Sequence, residues 1–248
     1  VTGHTGFKGS WLALCLHLLE ARVLGISKDY PTSPSHFRDL NIKKNIKNKM
    51  CDITNLKEVK KIFKQFQPDY VFHLAAQAIV SKSFKDPIST FNSNTIGTLN
   101  ILESLREVKK CKAVIITSDK SYKNLEIKRG YSEGDTLGGD DPYSGSKGAA
   151  ELIINSYIKS FFSNRKNIRI AIARAGNVIG GGDWSTDRII PDCVKSWYKN
   201  ENIILRNPKS TRPWQHVLEP LGGYLTLACQ LAKTSKLTGE SFNFGPDS

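Results

Sequence analysis

Little in this 248-residue chain could staple it, clamp a metal or anchor it in a bilayer. Its five cysteines (Cys15, Cys51, Cys111, Cys193 and Cys229) are odd in number, widely spread and free of CxxC or Cys/His spacing. That pattern excludes a disulfide scaffold and a zinc site, so the thiols read as reduced and no metal is expected. No run approaches the roughly 20 apolar residues that cross a membrane, and no N-terminal stretch has the regions of a signal peptide. The expectation is a soluble, cytoplasmic protein without a membrane partner. Repeats and low-complexity tracts are absent too. Acidic residues are outnumbered, 23 against 36 Lys and Arg, for a net charge of +13. The lysines are scattered through segments such as NLKEVKKIFKQF rather than gathered with aromatics, which argues against a nucleic-acid partner and for a solvated surface. Such a field also favours an anionic small substrate.

What is present is alternation. Apolar runs (VLGIS, DYVFHLAA, KAVIIT, IRIAIARA) take turns with helical patterns at about 10–20, after Thr54, at about 87–108 and over 143–161. Short, fully apolar strands separated by helices predict a doubly wound parallel sheet with helices on both faces and ligands at the strands' C-terminal ends. After Ala175 the texture changes to NVIGGGDW, a helical stretch at about 188–198, the run NIILR and a helix at about 219–232. A dinucleotide-binding part over 1–175 and a smaller substrate-binding part over 176–248 are expected. Only Val1 precedes the glycine loop, and FNFGPDS stops just after a strand-like run. The first strand and the C-terminal part therefore read as incomplete, pieces of a longer protein.

The glycine loop is Gly3, Gly6 and Gly9 in TGHTGFKG, with Thr5 and Phe7 between them. Glycines permit a tight turn and close approach to a pyrophosphate, whose charge meets the amides of the following helix. Asp52 and Ile53 have the placement to meet an adenine, and Leu74, Ala75, Ala76 and Gln77 end a strand where small residues let a cofactor pass. Asn94 either contacts the cofactor or braces its helix. His73 reads as a satisfied core residue. The second strand ends in Ser27-Lys28-Asp29, where an acid suits the ribose hydroxyl of NAD and a neighbouring cation leaves the signal mixed.

Tyr143 and Lys147 stand four apart in DPYSGSKGAAE, on one helix face. A cation about 4 Å from a phenolate stabilises it by about 4 kcal/mol at an effective dielectric near 20, enough to bring tyrosine into use as a base. Pro142 starts that helix and puts Tyr143 in its first turn. Ser118, Asp119 and Lys120 close KAVIIT after Thr117, at the ligand edge of the sheet. Arg206 and Arg212 bracket NPKST beside Trp214 and suit a diphosphate, while Asn177 and Arg188 are placed to hydrogen-bond a substrate. His216 reads as bracing the RPWQH loop.

The GxxGxxG loop, HLAAQ, Asn94-x-x-Gly97 and Tyr143-x-x-x-Lys147, in this order, resemble the extended short-chain dehydrogenase/reductase superfamily. TSDKSYKN, RAGNVIGGGDWSTDRIIPD and RPWQHVLEPLGGYL are similar to the CDP-glucose branch of the nucleotide-sugar 4,6-dehydratases. The resemblance implies a Rossmann domain with a smaller sugar-nucleotide part, tightly held NAD, CDP-glucose or a related sugar nucleotide as substrate, and a homodimer or homotetramer. It implies Tyr143 as base at the C4 hydroxyl, Lys147 as its electrostatic partner and ribose anchor, and Ser118 as the hydroxyl of the triad. Thr117 would face the cofactor, and Asp119 with Lys120 would form the dehydration pair. Related dTDP-glucose enzymes carry Asp-Glu there, which makes Lys120 the mark of the CDP branch. A 4-epimerase, a GDP-mannose or dTDP-glucose dehydratase and a non-catalytic nucleotide-binding scaffold are the competing expectations.

Overall fold

Residues 1–205 and 208–246 are described by the structure, a computed structural model. The glycine loop turns straight into α1 (Phe7–Leu18), capped by Gly6 in extended backbone. The helix thus begins three residues before the expected Ser10. Then come β1 (Leu24–Ser27), the short α2 (His36–Asp39), β2 (Lys47–Met50), and α3 (Leu56–Phe66), where the Asn55 side chain accepts from the Glu58 amide. β3 (Tyr70–His73) leads to α4 (Val80–Lys85), α5 (Pro87–Phe91), a π turn over Asn92–Ile96 and α6 (Gly97–Leu105). β4 (Cys111–Ile116), α7 (Pro142–Tyr157) and β5 (Ile168–Ala175) follow. β6 (Val178–Ile179), α8 (Ile189–Tyr198), β7 (Gln215–His216), α9 (Leu218–Lys233) and β8 (Ser241–Phe244) complete the chain.

Every strand pair is parallel. Thr2 bridges Ile26 and His73, so it occupies the place of a first strand between β1 and β3. The order becomes β2, β1, Thr2, β3, β4, β5, β8, that of a Rossmann fold, and it reverses where Thr2 enters the glycine loop. β2 was not foreseen because KNKM is an edge strand with little buried surface. Residues 202–205 of NIILR carry neither helix nor strand.

The two faces of β5 explain the layering. Ile168, Ile170 and Ile172 pack with Leu102, Ile115 and Ile154 on one side, while Ala171, Ala173 and Ala175 pack with Leu12, Leu221 and Leu227 on the other. Period-two alternation sends the isoleucines toward α6 and α7 and the alanines toward α1 and α9. Each isoleucine so buried contributes about 1.5–3 kcal/mol. The C-terminal part joins this sheet, β8 pairing with β5 and Leu221 and Leu227 of α9 entering its core. Among the described residues no helix is long and apolar enough to cross a membrane.

Close approach fixes the glycine loop. Gly3 adopts φ +74, and a Cβ there would lie 2.7 Å from the Ala75 amide nitrogen. A Cβ on Gly9 would lie 2.0 Å from the Gly3 carbonyl oxygen. Gly9→Ala is therefore expected to destabilise the chain by about 1–3 kcal/mol and lower its Tm by several degrees. A melting curve superimposable on that of the parent would contradict this packing.

Candidate active site

Two chain segments converge at the C-terminal edge of the sheet. Asp141 caps α7, its Oδ1 accepting from the amides of Tyr143 (2.9 Å) and Ser144 (3.0 Å), and Pro142 supplies the first helical position. Tyr143 is thereby fixed in the first turn, 8% exposed, with Lys147 one turn on at 6%. Beyond β4, Ser118 caps a 3-10 turn over Asp119–Ser121, accepting from the Lys120 amide at 3.2 Å and donating to Asp119 Oδ1 at 3.0 Å. Its hydroxyl also stands beside the Tyr143 phenol. Asp119 and Lys120 are half-buried at the same edge. The structure thus brings Ser118, Asp119, Tyr143 and Lys147 into one place, with Lys120 on the same turn.

Burial dominates the electrostatics. It pushes the Tyr143 phenol above its ordinary value, opposed by the Ser118 hydroxyl and the charge of Arg188, while Asp119 and Asp141 add to the rise. Burial pulls Lys147 down to about 8, against the attraction of Glu151.

Lys8, within the glycine motif, also belongs to this cluster. Lost hydration and the charges of Arg188 and Lys147 pull it to about 8, with Asp119 opposing. Arg188 in turn pairs with Asp183 at 3.1 Å. The signal was a charged residue inside the glycine motif, between Phe7 and Gly9.

The remaining candidates fall into distinct roles. Both ring nitrogens of His73 are engaged, by Thr2 at 2.7 Å and Thr98 at 3.0 Å, and burial holds it at about 3; it is a satisfied core residue. Asn94 braces, accepting from the Gln77 amide (2.8 Å) and donating to the Gln77 carbonyl (3.1 Å) and Ser146 Oγ (2.9 Å). It thereby ties the end of HLAAQ to α7, while Leu74, Ala75, Ala76 and Gln77 stay half-buried along the edge. Asp52 accepts from the Thr54 amide and hydroxyl, and Ile53 packs against Gly97. Thr117 turns its hydroxyl inward to Glu151, at 2.6 Å. Asn177 offers its carbonyl to the Gln215 amide (3.2 Å) and is half-buried. Arg212 is exposed and donates to the Thr211 carbonyl at 2.7 Å. His216, also exposed, accepts at Nδ1 from the Leu218 amide, within its own loop. Arg206 lies outside the described residues.

The residues at the glycine loop fit a dinucleotide. The first turn of α1 has no capping side chain, Gly3 and Gly9 leave no room for a Cβ, and Lys8 lies in that same turn. Uncapped amides, a close backbone approach and a nearby cation suit a diphosphate.

Comparison with known proteins gives the same picture. The profile of the GDP-mannose 4,6 dehydratase family matches residues 1–244. The chain is 46% identical over 251 residues to the CDP-glucose 4,6-dehydratase of Salmonella typhimurium, covering 99% of this chain and 70% of that one. Among solved structures, UDP-glucuronic acid 4-epimerase from Bacillus cereus, in complex with UDP-glucuronic acid and NAD, aligns with a TM-score of 0.84 at 25% identity, over 100% of this chain and 77% of that one. DesIV, a dTDP-glucose 4,6-dehydratase from Streptomyces venezuelae, matches the fold with a TM-score of 0.84 at 19% identity, over 100% and 75%.

Proposed function

We infer that the chain, which belongs to the GDP-mannose 4,6 dehydratase family, is an NAD-dependent hydro-lyase acting on a nucleotide-linked glucose. Its substrate is CDP-glucose and its product the 4-keto-6-deoxy sugar nucleotide. The observation that carries this reading is the Ser118-Asp119-Lys120 turn set beside Tyr143, an acid/base pair next to an oxidation device. The 46% identity to a CDP-glucose enzyme supports the choice of base.

Water is hard to remove across C5 and C6 because the C5 hydrogen of a sugar is not acidic. A ketone at C4 acidifies it. Bound NAD supplies the acceptor for the hydride that leaves C4 and its return to C6. Tyr143 takes the C4 hydroxyl proton, helped by the Ser118 hydroxyl and by nearby cations. Lys120 is the base that takes the C5 proton, and Asp119 is the acid that passes a proton to the departing C6 hydroxyl. Lys147 anchors the ribose. Gly3, Thr5, Gly6, Phe7 and Gly9 would hold the cofactor's diphosphate, Asp52 and Ile53 the adenine, and Leu74, Ala75, Ala76, Gln77, Asn94 and Thr117 the path between. Asn177, Arg188, Arg206 and Arg212, all in the substrate-facing part over 176–248, would receive the substrate. Offering CDP-, dTDP-, UDP- and GDP-sugars side by side tests the assignment: product one water lighter is expected with CDP-glucose. No such product from any of them would overturn the dehydratase reading, and an isomer of unchanged mass would point to an epimerase.

A homodimer or homotetramer, and a cytoplasmic site of action in deoxysugar synthesis for bacterial surface polysaccharides, complete the proposal. Phe84 (65% exposed), Ile88 (75%), Phe91 and Leu152 (63%) leave an apolar surface on α4, α5 and α7, which supports pairing through these helices. Light scattering is expected to give at least twice the 27.6 kDa of one chain. A mass of one chain at micromolar concentration would contradict it.

A further inference from the structure

The mechanism leaves unused the most deeply buried ion pair of the described residues. Arg174 and Glu151 meet at 2.5 Å with side chains 3% and 0% exposed. Removing two charges from water costs several kcal/mol each, so a buried pair is weak evidence for stability and its retention calls for another reason.

The partners indicate one. Glu151 Oε1 accepts from Thr117 Oγ1 at 2.6 Å, Ser121 Oγ at 2.8 Å and Arg174 Nε at 2.9 Å. Thr117 and Ser121 flank the Ser118-Asp119-Lys120 triplet on either side. Ser121 Oγ also lies 2.5 Å from the Ser118 carbonyl oxygen, so one hydroxyl spans the turn and the carboxylate. Arg174 is held in its turn: Nη1 donates to Tyr122 Oη at 2.7 Å and to the Glu133 carbonyl at 3.0 Å, and Nη2 reaches Ser241 Oγ at 3.2 Å. Tyr122, the residue after the turn, stacks on Tyr131 and donates to Asn243 at 2.7 Å. On α7 the residues Tyr143, Lys147 and Glu151 recur every four positions, which places all three along one helix face. The same helix that carries the oxidation device therefore carries the carboxylate that grips both ends of the acid/base turn.

We propose that Glu151, held by Arg174, is a positioning residue of the reaction: it fixes the Ser118-Asp119-Lys120 turn against α7 and so sets where the acid/base pair stands relative to Tyr143 and Lys147. Its grip on the turn bears on water removal more than on C4 oxidation, because Tyr143 and Lys147 are placed by their own helix; its charge acts separately on Lys147. The inference rests on the dehydratase reading above, and the test separates the two.

Glu151→Gln keeps the shape of the side chain and removes its charge; Ser121→Ala removes only the bridging hydroxyl and leaves the ion pair, so it serves if the first variant does not fold. In the full chain, amide hydrogen exchange over 118–122 is expected to speed up about tenfold, corresponding to about 1.4 kcal/mol of lost local protection. With CDP-glucose, Ser121→Ala, which leaves the Glu151 charge beside Lys147 in place, is expected to slow solvent deuterium entry at C5 by a similar factor while cofactor reduction changes less than about twofold and KM holds. Exchange over 118–122 unchanged in a folded variant, or cofactor reduction and C5 exchange falling by the same factor in Ser121→Ala, would overturn the proposal. If the parent chain forms no product from any nucleotide sugar, the functional reading fails by itself, and the hydrogen exchange still decides whether Glu151 holds the turn.

Discussion

Lys120→Met is expected to lower formation of the 4-keto-6-deoxy product by about 10³-fold while the sugar is still oxidised at C4. Methionine keeps an unbranched stem of similar length and deletes only the amine. Lys120 is half-buried on the 3-10 turn beyond β4, outside the strand, so folding is expected to change by no more than about 0.5 kcal/mol. The consequence is a split. Reduced nicotinamide appears on mixing and persists, since nothing removes the C5 proton, and deuterium from the solvent no longer enters at C5. Asp119→Asn shares the loss of product but retains the C5 exchange, because the amide cannot protonate the departing hydroxyl. Stopped-flow absorbance with mass analysis of the recovered sugar reads both outcomes. A Lys120→Met enzyme turning over at the parent rate would remove this residue from the chemistry.

Tyr143→Phe is expected to act one step earlier and to cost about 10²–10⁴-fold in every observable, cofactor reduction included. The ring is buried in the first turn of α7 and phenylalanine keeps its packing, so the loss isolates the hydroxyl. The pH dependence follows from the two perturbed groups. Tyr143 acts as its deprotonated form and burial raises its pKa, so C4 oxidation speeds up as pH rises toward that value. Lys147 titrates at about 8, so its positive charge is complete below that pH and lost above it. A rate that climbs through neutrality and then flattens or falls above about pH 8 is the expected profile. Tyr143→Phe with the parent's rate of cofactor reduction would contradict the assignment.

The parts of this arrangement that were legible in the sequence are those set by local rules. The β5 run IRIAIARA declared a strand buried on both faces, and Pro142 placed Tyr143 at a helix start. Gly3, Gly6 and Gly9 announced a tight loop, and the positive φ of Gly3 and the contact facing Gly9 give the steric reason at those two positions. β2 escaped because an edge strand with a polar sequence carries no alternation to detect. Arg174 could have been flagged, since an arginine in an apolar strand must find a buried acid. Which acid was not readable: Glu151 lies 23 positions away and meets it only through the pairing of α7 with β5. Lys8 was hidden for the same reason, its neighbours Arg188 and Lys147 coming from distant segments. Asn94 had two readings from sequence; its hydrogen bonds to Gln77 and Ser146 are those of a brace, and its contact with the cofactor stays part of the proposal.

The central claim is that oxidation at C4 is a temporary step that loosens the C5 hydrogen, with the cofactor unchanged at the end. CDP-glucose carrying deuterium at C4 tests it most directly. The account predicts a product one water lighter with the C4 deuterium recovered in its C6 methyl group and no net build-up of reduced nicotinamide. Deuterium left at C4, lost to solvent or retained on accumulating reduced cofactor would contradict it.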